Sequence, residues 1–163
     1  MNINRIWAMP NKNTFLIKPI KNLIDRYCGG EWADPFANNN SPAKYTNDLN
    51  EEMDTMYHLD AVEFLKTFKD EQLDGVLLDP PYSMHQCTVS YAGYGKKKVI
   101  ALTPVYDEIR RILRRGGVCI SFGWGTNGIG KKRGFETHEV LIVPHGGHHN
   151  DTLVTVEQKI SLF

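Results

Sequence analysis

The apolar run Val76-Leu77-Leu78 stops abruptly at Asp79-Pro80-Pro81-Tyr82, and no other stretch restricts the chain so tightly. A short uninterrupted apolar segment reads as a strand buried on both faces, as in a parallel sheet covered by helices. Pro80 and Pro81 end its ladder, because neither has a backbone N–H to donate. Their carbonyls remain acceptors beside the Asp79 carboxylate, and Tyr82 adds a flat apolar face with a polar tip. Such a strand end suits a planar group carrying an NH2, for example a nucleobase. The alternative is a plain strand-end turn capped by Asp79, since Asp and Pro are ordinary turn residues.

Around this segment the chain alternates between helical and strand periods. Ile20, Leu23, Ile24 and Tyr27 make a helical stripe over residues 19–27, with Pro19 near its first turn and Gly29-Gly30 beyond its end. Strands are predicted at 31–36, 43–46 and 57–59, followed by a helix over 62–68 and the strand 76–78. Thr103 is the predicted cap of a helix reaching about residue 115, where Gly116-Gly117 would end it. Residues 118–124 read as a fifth strand, and 140–143 and 153–156 as the last two. The connection between those two is too short for a helical crossover, so they are predicted to be antiparallel. The pattern predicts one domain over residues 1–163: a mostly parallel seven-stranded sheet with a C-terminal antiparallel hairpin and helices on both faces.

Net charge is zero, which excludes a uniformly basic nucleic-acid binder. The charge is nevertheless uneven. Residues 1–80 hold eight Lys/Arg against thirteen Asp/Glu, and residues 81–163 hold eleven against six. The basic half begins at the proposed acceptor loop, as a polyanionic substrate would favour, although a solvated basic face accounts for it equally. Cys28, Cys87 and Cys119 show no paired spacing, which points to a reducing compartment without structural zinc. No apolar stretch reaches transmembrane length and no signal peptide is visible, so a cytoplasmic protein is predicted. His145, His148 and His149 lie in a Gly- and Asn-containing turn, and no metal site is predicted there.

A doubly wound sheet places ligands beyond the carboxyl ends of its strands, near the reversal of strand order. Asp34, Asp48, Asp60 and Asp79 each fall at or just past a predicted strand end. Any one of them could be a helix cap. Together, four carboxylates on one edge call for a ligand with hydroxyls, an amine and a cationic centre. His85, near the acceptor motif, is either a proton acceptor or an ordinary loop residue. Tyr91, Tyr94 and Lys96-Lys97-Lys98, and separately Lys131-Lys132-Arg133, are candidate base and phosphate contacts or solubilising loops. Trp124 lines the target pocket or packs in the core.

These residues resemble the class I S-adenosylmethionine-dependent amino-methyltransferases, whose catalytic motif is Asp, Asn or Ser followed by Pro-Pro-aromatic at the end of the fourth strand. The Asp form at Asp79, Pro80, Pro81 and Tyr82 is similar to that of the adenine-N6 DNA methyltransferases. Lys18-Pro19 with Leu23 resembles the family's Lys-Pro-x-x-Leu element, and Asp34-Pro35-Phe36 its Asp-Pro-Phe cofactor loop. The likeness runs from about Phe15 to Glu157 and implies a Rossmann-like fold with S-adenosylmethionine as cofactor. It implies that Phe15, Lys18, Pro19, Asp34, Pro35, Phe36, Asp48, Asp60 and Asp79 line the cofactor site, with Asp48 on the ribose hydroxyls and Asp60 on the adenine amine.

The sequence departs from the family in two places. The glycines that usually follow Asp-Pro-Phe are replaced in Ala37-Asn38-Asn39-Asn40, although Asn tolerates left-handed backbone. A target-recognition domain does not fit within 163 residues, so specificity would come from short insertions, a homodimer or a partner. The resemblance implies methyl transfer to the N6 amine of adenine in DNA, taken as a flipped or single-stranded base. Adenine-N6 methylation of RNA, a different S-adenosylmethionine-consuming enzyme and a catalytically inactive nucleic-acid-binding relic are the alternatives.

Overall fold

The computed structural model describes residues 1–81 and 100–160. Tyr82, His85, Cys87, Tyr91, Tyr94 and Lys96-Lys97-Lys98 lie outside the described residues. Seven strands form one sheet: β1 (Asn2–Arg5), β2 (Trp32–Asp34), β3 (Tyr45–Thr46), β4 (Leu73–Leu78), β5 (Leu113–Gly123), β6 (Phe135–Val143) and β7 (Thr152–Lys159). Their spatial order is β1-β6-β7-β5-β4-β2-β3. All pairings are parallel except those of β7, which runs antiparallel to both β5 and β6. The described helices are α1 (Lys18–Tyr27), α2 (Ala61–Lys66) and α3 (Leu102–Ile112), with 3-10 turns at Thr14–Leu16 and Lys131–Arg133.

Alternation along the central strands divides the core into two layers. Val76, Leu78 and Cys119 face α2 and α3, where Phe64, Leu65, Val105 and Ile109 are fully buried. Leu77, Ile120 and Phe122 face the other way, toward Ile20, Leu23 and Ile24 of α1. Helices therefore cover both faces of the sheet, as the strand and helix periods predict. Gly75 admits the Trp32 ring against β4, since a Cβ there would meet the indole at 2.1 Å.

Three local predictions need correction. The expected third strand at 57–59 is reduced to a single parallel bridge, Asn47↔Tyr57. The count of seven is kept by β1, which pairs with β6 from Asn2↔Glu139 to Arg5↔Ile142 and has no apolar alternation to announce it. The last described helix starts at Leu102 behind Ala101 with no side-chain cap from Thr103, and it ends at Ile112. Its early end has a physical cause. Leu113 already pairs with Leu73 in the sheet, and the buried Lys159 ammonium donates to the carbonyls of Arg110 and Leu113 at 2.7 Å each, closing the helix.

Candidate active site

Strand order reverses between β2 and β4: the chain leaves β2 outward to β3, and leaves β4 in the direction of β5. Asp34 ends β2 and Asp79 follows the last residue of β4, so the two carboxylates flank the point where this class of sheet holds ligands. Asp34 has no exposed surface. One of its oxygens accepts from the Phe36 amide at 3.0 Å and the other from the Ser41 hydroxyl at 2.7 Å. Burial pushes its carboxyl up to about 7; the two hydrogen bonds oppose this, while Asp79 and Asp48 add to it. Asp79 is partly exposed, and burial raises its carboxyl to about 6 against the opposing hydrogen bond from the Thr14 side chain. Pro80 is buried and Pro81 partly exposed behind it.

Asp48 follows β3 and is 8% exposed. Its oxygens accept from the amides of Asn38 at 3.0 Å and Asn50 at 2.9 Å, and burial raises its pKa. The loop facing it is held by its own asparagines. Asn38 adopts a left-handed φ of 52°, the conformation that glycine or asparagine supplies, whereas Asn40 does not. The Asn38 side chain accepts from the Asn39 amide at 2.8 Å, and that of Asn39 from the Asp54 amide at 2.8 Å. Two side chains that would crowd a ligand are thus turned along the loop.

The remaining predicted residues divide between the edge and the core. Lys18 is exposed in the first turn of α1 with Pro19 beside it, at the carboxyl edge of the sheet. Asp60 caps α2, its side chain accepting from the Val62 amide at 3.0 Å. Pro35 and Phe36 are buried, and Phe36 packs in the layer of α2 and α3. Phe15 is buried against Phe122, with ring centroids 5.0 Å apart. Trp124 is 52% exposed just past β5, which removes the core alternative. Lys131-Lys132-Arg133 stands at the opposite end of the sheet, where β6 begins. At about 3.3 Å per residue, the nine residues of β6 separate it from the Asp79 edge by roughly 25 Å. Arg133 there pairs with Asp107 at 2.8 Å. His145 is buried, hydrogen-bonded to the Ala8 carbonyl at 2.9 Å and the Thr152 hydroxyl at 2.8 Å. Among the described residues no group of three His, Cys, Asp or Glu is arranged to hold a metal ion, and no helix is long and apolar enough to cross a membrane.

Sequence reasoning missed two residues of this edge. Asn47 is fully buried and takes over from the missing third strand. Its amide donates to the carbonyls of Pro35 at 3.1 Å and Leu59 at 2.9 Å and accepts from the Leu59 amide at 2.9 Å. Thr14 reaches Asp79 from the turn before α1. Neither contact has a local signal, because the partners are far apart in sequence.

No protein-family model and no curated protein matches the chain. Solved structures do. TrmN from Thermus thermophilus superimposes with a TM-score of 0.57 at 17% identity, over 89% of this chain and 49% of that one, so the chain spans about half the length of TrmN. The candidate methyltransferase yhhF of Escherichia coli gives 0.55 at 11% identity, over 95% and 92%. The 1,6-didemethyltoxoflavin N1-methyltransferase of Burkholderia thailandensis, solved with that acceptor and S-adenosylhomocysteine, gives 0.51 at 14% identity, over 80% and 71%. With its sheet order, its two helical layers and these likenesses, the chain has the Rossmann-like fold of class I methyltransferases.

Proposed function

We propose that this protein transfers a methyl group from S-adenosylmethionine to the N6 amine of adenine in DNA. The observation that supports this reading is the place of Asp79-Pro80-Pro81: the carboxyl end of β4, beside the strand-order reversal, with Asp34 and Asp48 on the neighbouring strands. The residues fit the cofactor. Each Asp48 oxygen has one backbone donor and retains acceptor capacity for ribose hydroxyls, and the Asn38 and Asn39 side chains are engaged with the amides of Asn39 and Asp54. Lys18, Pro19 and the Asp34-Pro35-Phe36 turn border the methionine end, and Asp60 accepts from the adenine amine of the cofactor. When bound, S-adenosylmethionine supplies an electrophilic methyl group.

The chain's own contribution is to prepare the acceptor. An adenine amine is a weak nucleophile because its lone pair delocalises into the ring. Hydrogen bonds from the amine to the Asp79 carboxylate and the Pro80 carbonyl favour the pyramidal, attacking form. They also stabilise the positive charge that develops as the lone pair forms the new N–C bond. The cofactor's S–CH3 bond would break at the same time, its electron pair staying on sulfur to leave S-adenosylhomocysteine, and the amine proton would pass to the Asp79 carboxylate and on to solvent. Only ionised Asp79 is an acceptor alone, so the rate falls as pH drops through about 6. Alignment and electrostatics carry the step, and no covalent enzyme intermediate is needed.

Incubation with methyl-labelled S-adenosylmethionine and either DNA or RNA, digestion to nucleosides and mass analysis test the reading. N6-methyldeoxyadenosine is expected, and Asp79→Ala is expected to abolish it while cofactor binding and fold persist. Label in adenine of RNA alone would move the assignment to RNA. Absence of cofactor binding, with nucleic acid present, would identify a relic.

A further inference from the structure

We propose that the segment between β1 and α1 is a track for single-stranded DNA: Trp7 stacks on a base several nucleotides from the target adenine, and Arg5 and Lys12 hold neighbouring phosphates. The inference rests on the reading of Asp79 as the adenine acceptor and concerns how the rest of the strand is held. Strand directions place the segment. Strand β1 runs parallel to β6, and β5 and β6 are both antiparallel to β7, so β1 ends on the same edge of the sheet as β4. Beyond it the Ile6 amide donates to the Ile142 carbonyl at 2.9 Å and the Ala8 amide to the Pro144 carbonyl at 3.2 Å. The Ala8 carbonyl is hydrogen-bonded to the buried His145 ring at 2.9 Å, whose other nitrogen meets the Thr152 hydroxyl at 2.8 Å. Further along, Phe15 is buried against Phe122 near the end of β5. The chain from Ala8 to Phe15 therefore crosses from the end of β6 to that of β5, along the edge on which Asp79 stands.

Trp7 opens this crossing. It is 59% exposed, and its indole nitrogen lies beside the β6–β7 turn, where a Cβ on Gly146 would meet it at 3.5 Å. Four strand spacings separate β1 from β4, roughly 19 Å, or the length of about five or six stacked nucleotides. Charge decides what suits this surface. Residues 1–24 contain Arg5, Lys12, Lys18 and Lys21 and no acid, whereas residues 25–80 hold four Lys/Arg against thirteen Asp/Glu. Lys21 is paired with Asp25 at 2.6 Å, and Lys18 borders the cofactor. Arg5 and Lys12 are exposed and make no ion pair among the described residues. The adjoining turn adds exposed His148 and His149 against Asp151. An apolar partner would bury these cations without counter-charge. A single strand supplies phosphates for them and a π-face for the indole, whatever the base.

Fluorescence anisotropy tests the track with a single-stranded DNA of about twelve nucleotides carrying one central adenine, and with a trinucleotide carrying the same adenine, both in saturating S-adenosylhomocysteine. Trp7→Ala is expected to weaken binding of the longer strand about tenfold, the loss of one stacked base, with Trp7→Phe keeping most of the affinity. Lys12→Gln is expected to weaken it about threefold and to flatten the dependence of log Kd on log salt by roughly 0.7. Every variant should bind the trinucleotide as wild type does, because it does not reach the track, and calorimetric affinity for S-adenosylmethionine should be unchanged. Folded Trp7→Ala and Lys12→Gln that bind the longer strand as tightly as wild type overturn the proposal; N6-methyldeoxyadenosine formed by such a protein leaves the adenine reading standing without it. Binding that depends on Trp7, with no adenine methylated, supports the track and counts against the adenine reading instead. A dimer in solution that Trp7→Ala dissociates, with DNA binding unaffected, assigns the surface to a second copy and overturns the proposal.

Discussion

Strands β6 and β7 pair from Phe135↔Lys159 to Val143↔Thr152, whereas β2 and β3 share only Ala33↔Tyr45 and Asp34↔Thr46. The long pair is held by a backbone ladder that repeats from residue to residue. The short pair is held by side chains: Asp34 closes the turn after β2, Asn47 joins three chain segments, and Asp48 takes two amides of the flanking loops. The difference has a functional logic. A ladder uses up its polar groups on itself, while a side-chain scaffold leaves carboxylates and carbonyls facing the edge where a ligand binds. It also concentrates stability in single residues, and that concentration can be tested.

Asn47→Ala removes one amide and leaves the Pro35 carbonyl and both polar groups of Leu59 without that partner, at an expected cost of about 3 kcal/mol. Urea unfolding measures it, and a loss below about 1 kcal/mol would mean that the backbone alone holds this edge. The second test uses pH. The folded Asp34 carboxyl, at about 7 against an ordinary 3.8, binds its proton more tightly than the unfolded chain does. Its contribution to stability is therefore fully present below pH 3.8 and is lost as pH rises through about 7. Compared with Asp34→Asn, wild type should lose stability across that window; parallel stability curves for the two proteins would refute the raised pKa.

Smaller effects sharpen the contrast. Thr155, on the ladder side, has a buried hydroxyl with no partner among the described residues. Thr155→Val keeps the shape and removes the unsatisfied group, so it should stabilise by about 1 kcal/mol in thermal unfolding. Destabilisation would show that the hydroxyl is paired in solution. Asn38→Gly should change stability by less than about 1 kcal/mol, because glycine also adopts the left-handed φ. Calorimetry with S-adenosylmethionine then reads the role of the side chain: unchanged or tighter binding if only the backbone matters, weaker binding if the amide touches the cofactor.

The same contrast explains what could be read in advance. Val76-Leu77-Leu78 and the stripe of Val105, Ile109 and Ile112 announce their elements because burial imposes a period on the sequence. The placement of Asp34 and Asp79 at strand ends followed from such periods, whereas Asp60 caps α2, the strand expected before it being a single bridge. What stayed hidden has no period. Edge strand β1 is exposed at all four residues, so nothing selects apolar alternation there. Asn47 and Thr14 act on residues distant in sequence, and a lone Asn or Thr is common in any loop. The end of α3 has no local mark, because its stop signal is Lys159, which arrives 46 residues after Leu113.

The pairing of β1 with β6 also bears on the order of assembly during synthesis. Asn2 waits for Glu139, and β6 joins the sheet through β7, which must insert between it and β5. Contacts this distant in sequence form late, because loop closure must come before any gain from them. Strand β1 precedes the other strands in chain order and is thus among the last of them to find its place. A nascent chain that has not yet been extended through β7 has β2, β4 and β5 but cannot seat β6 or β1, so the sheet is completed only once the hairpin has emerged.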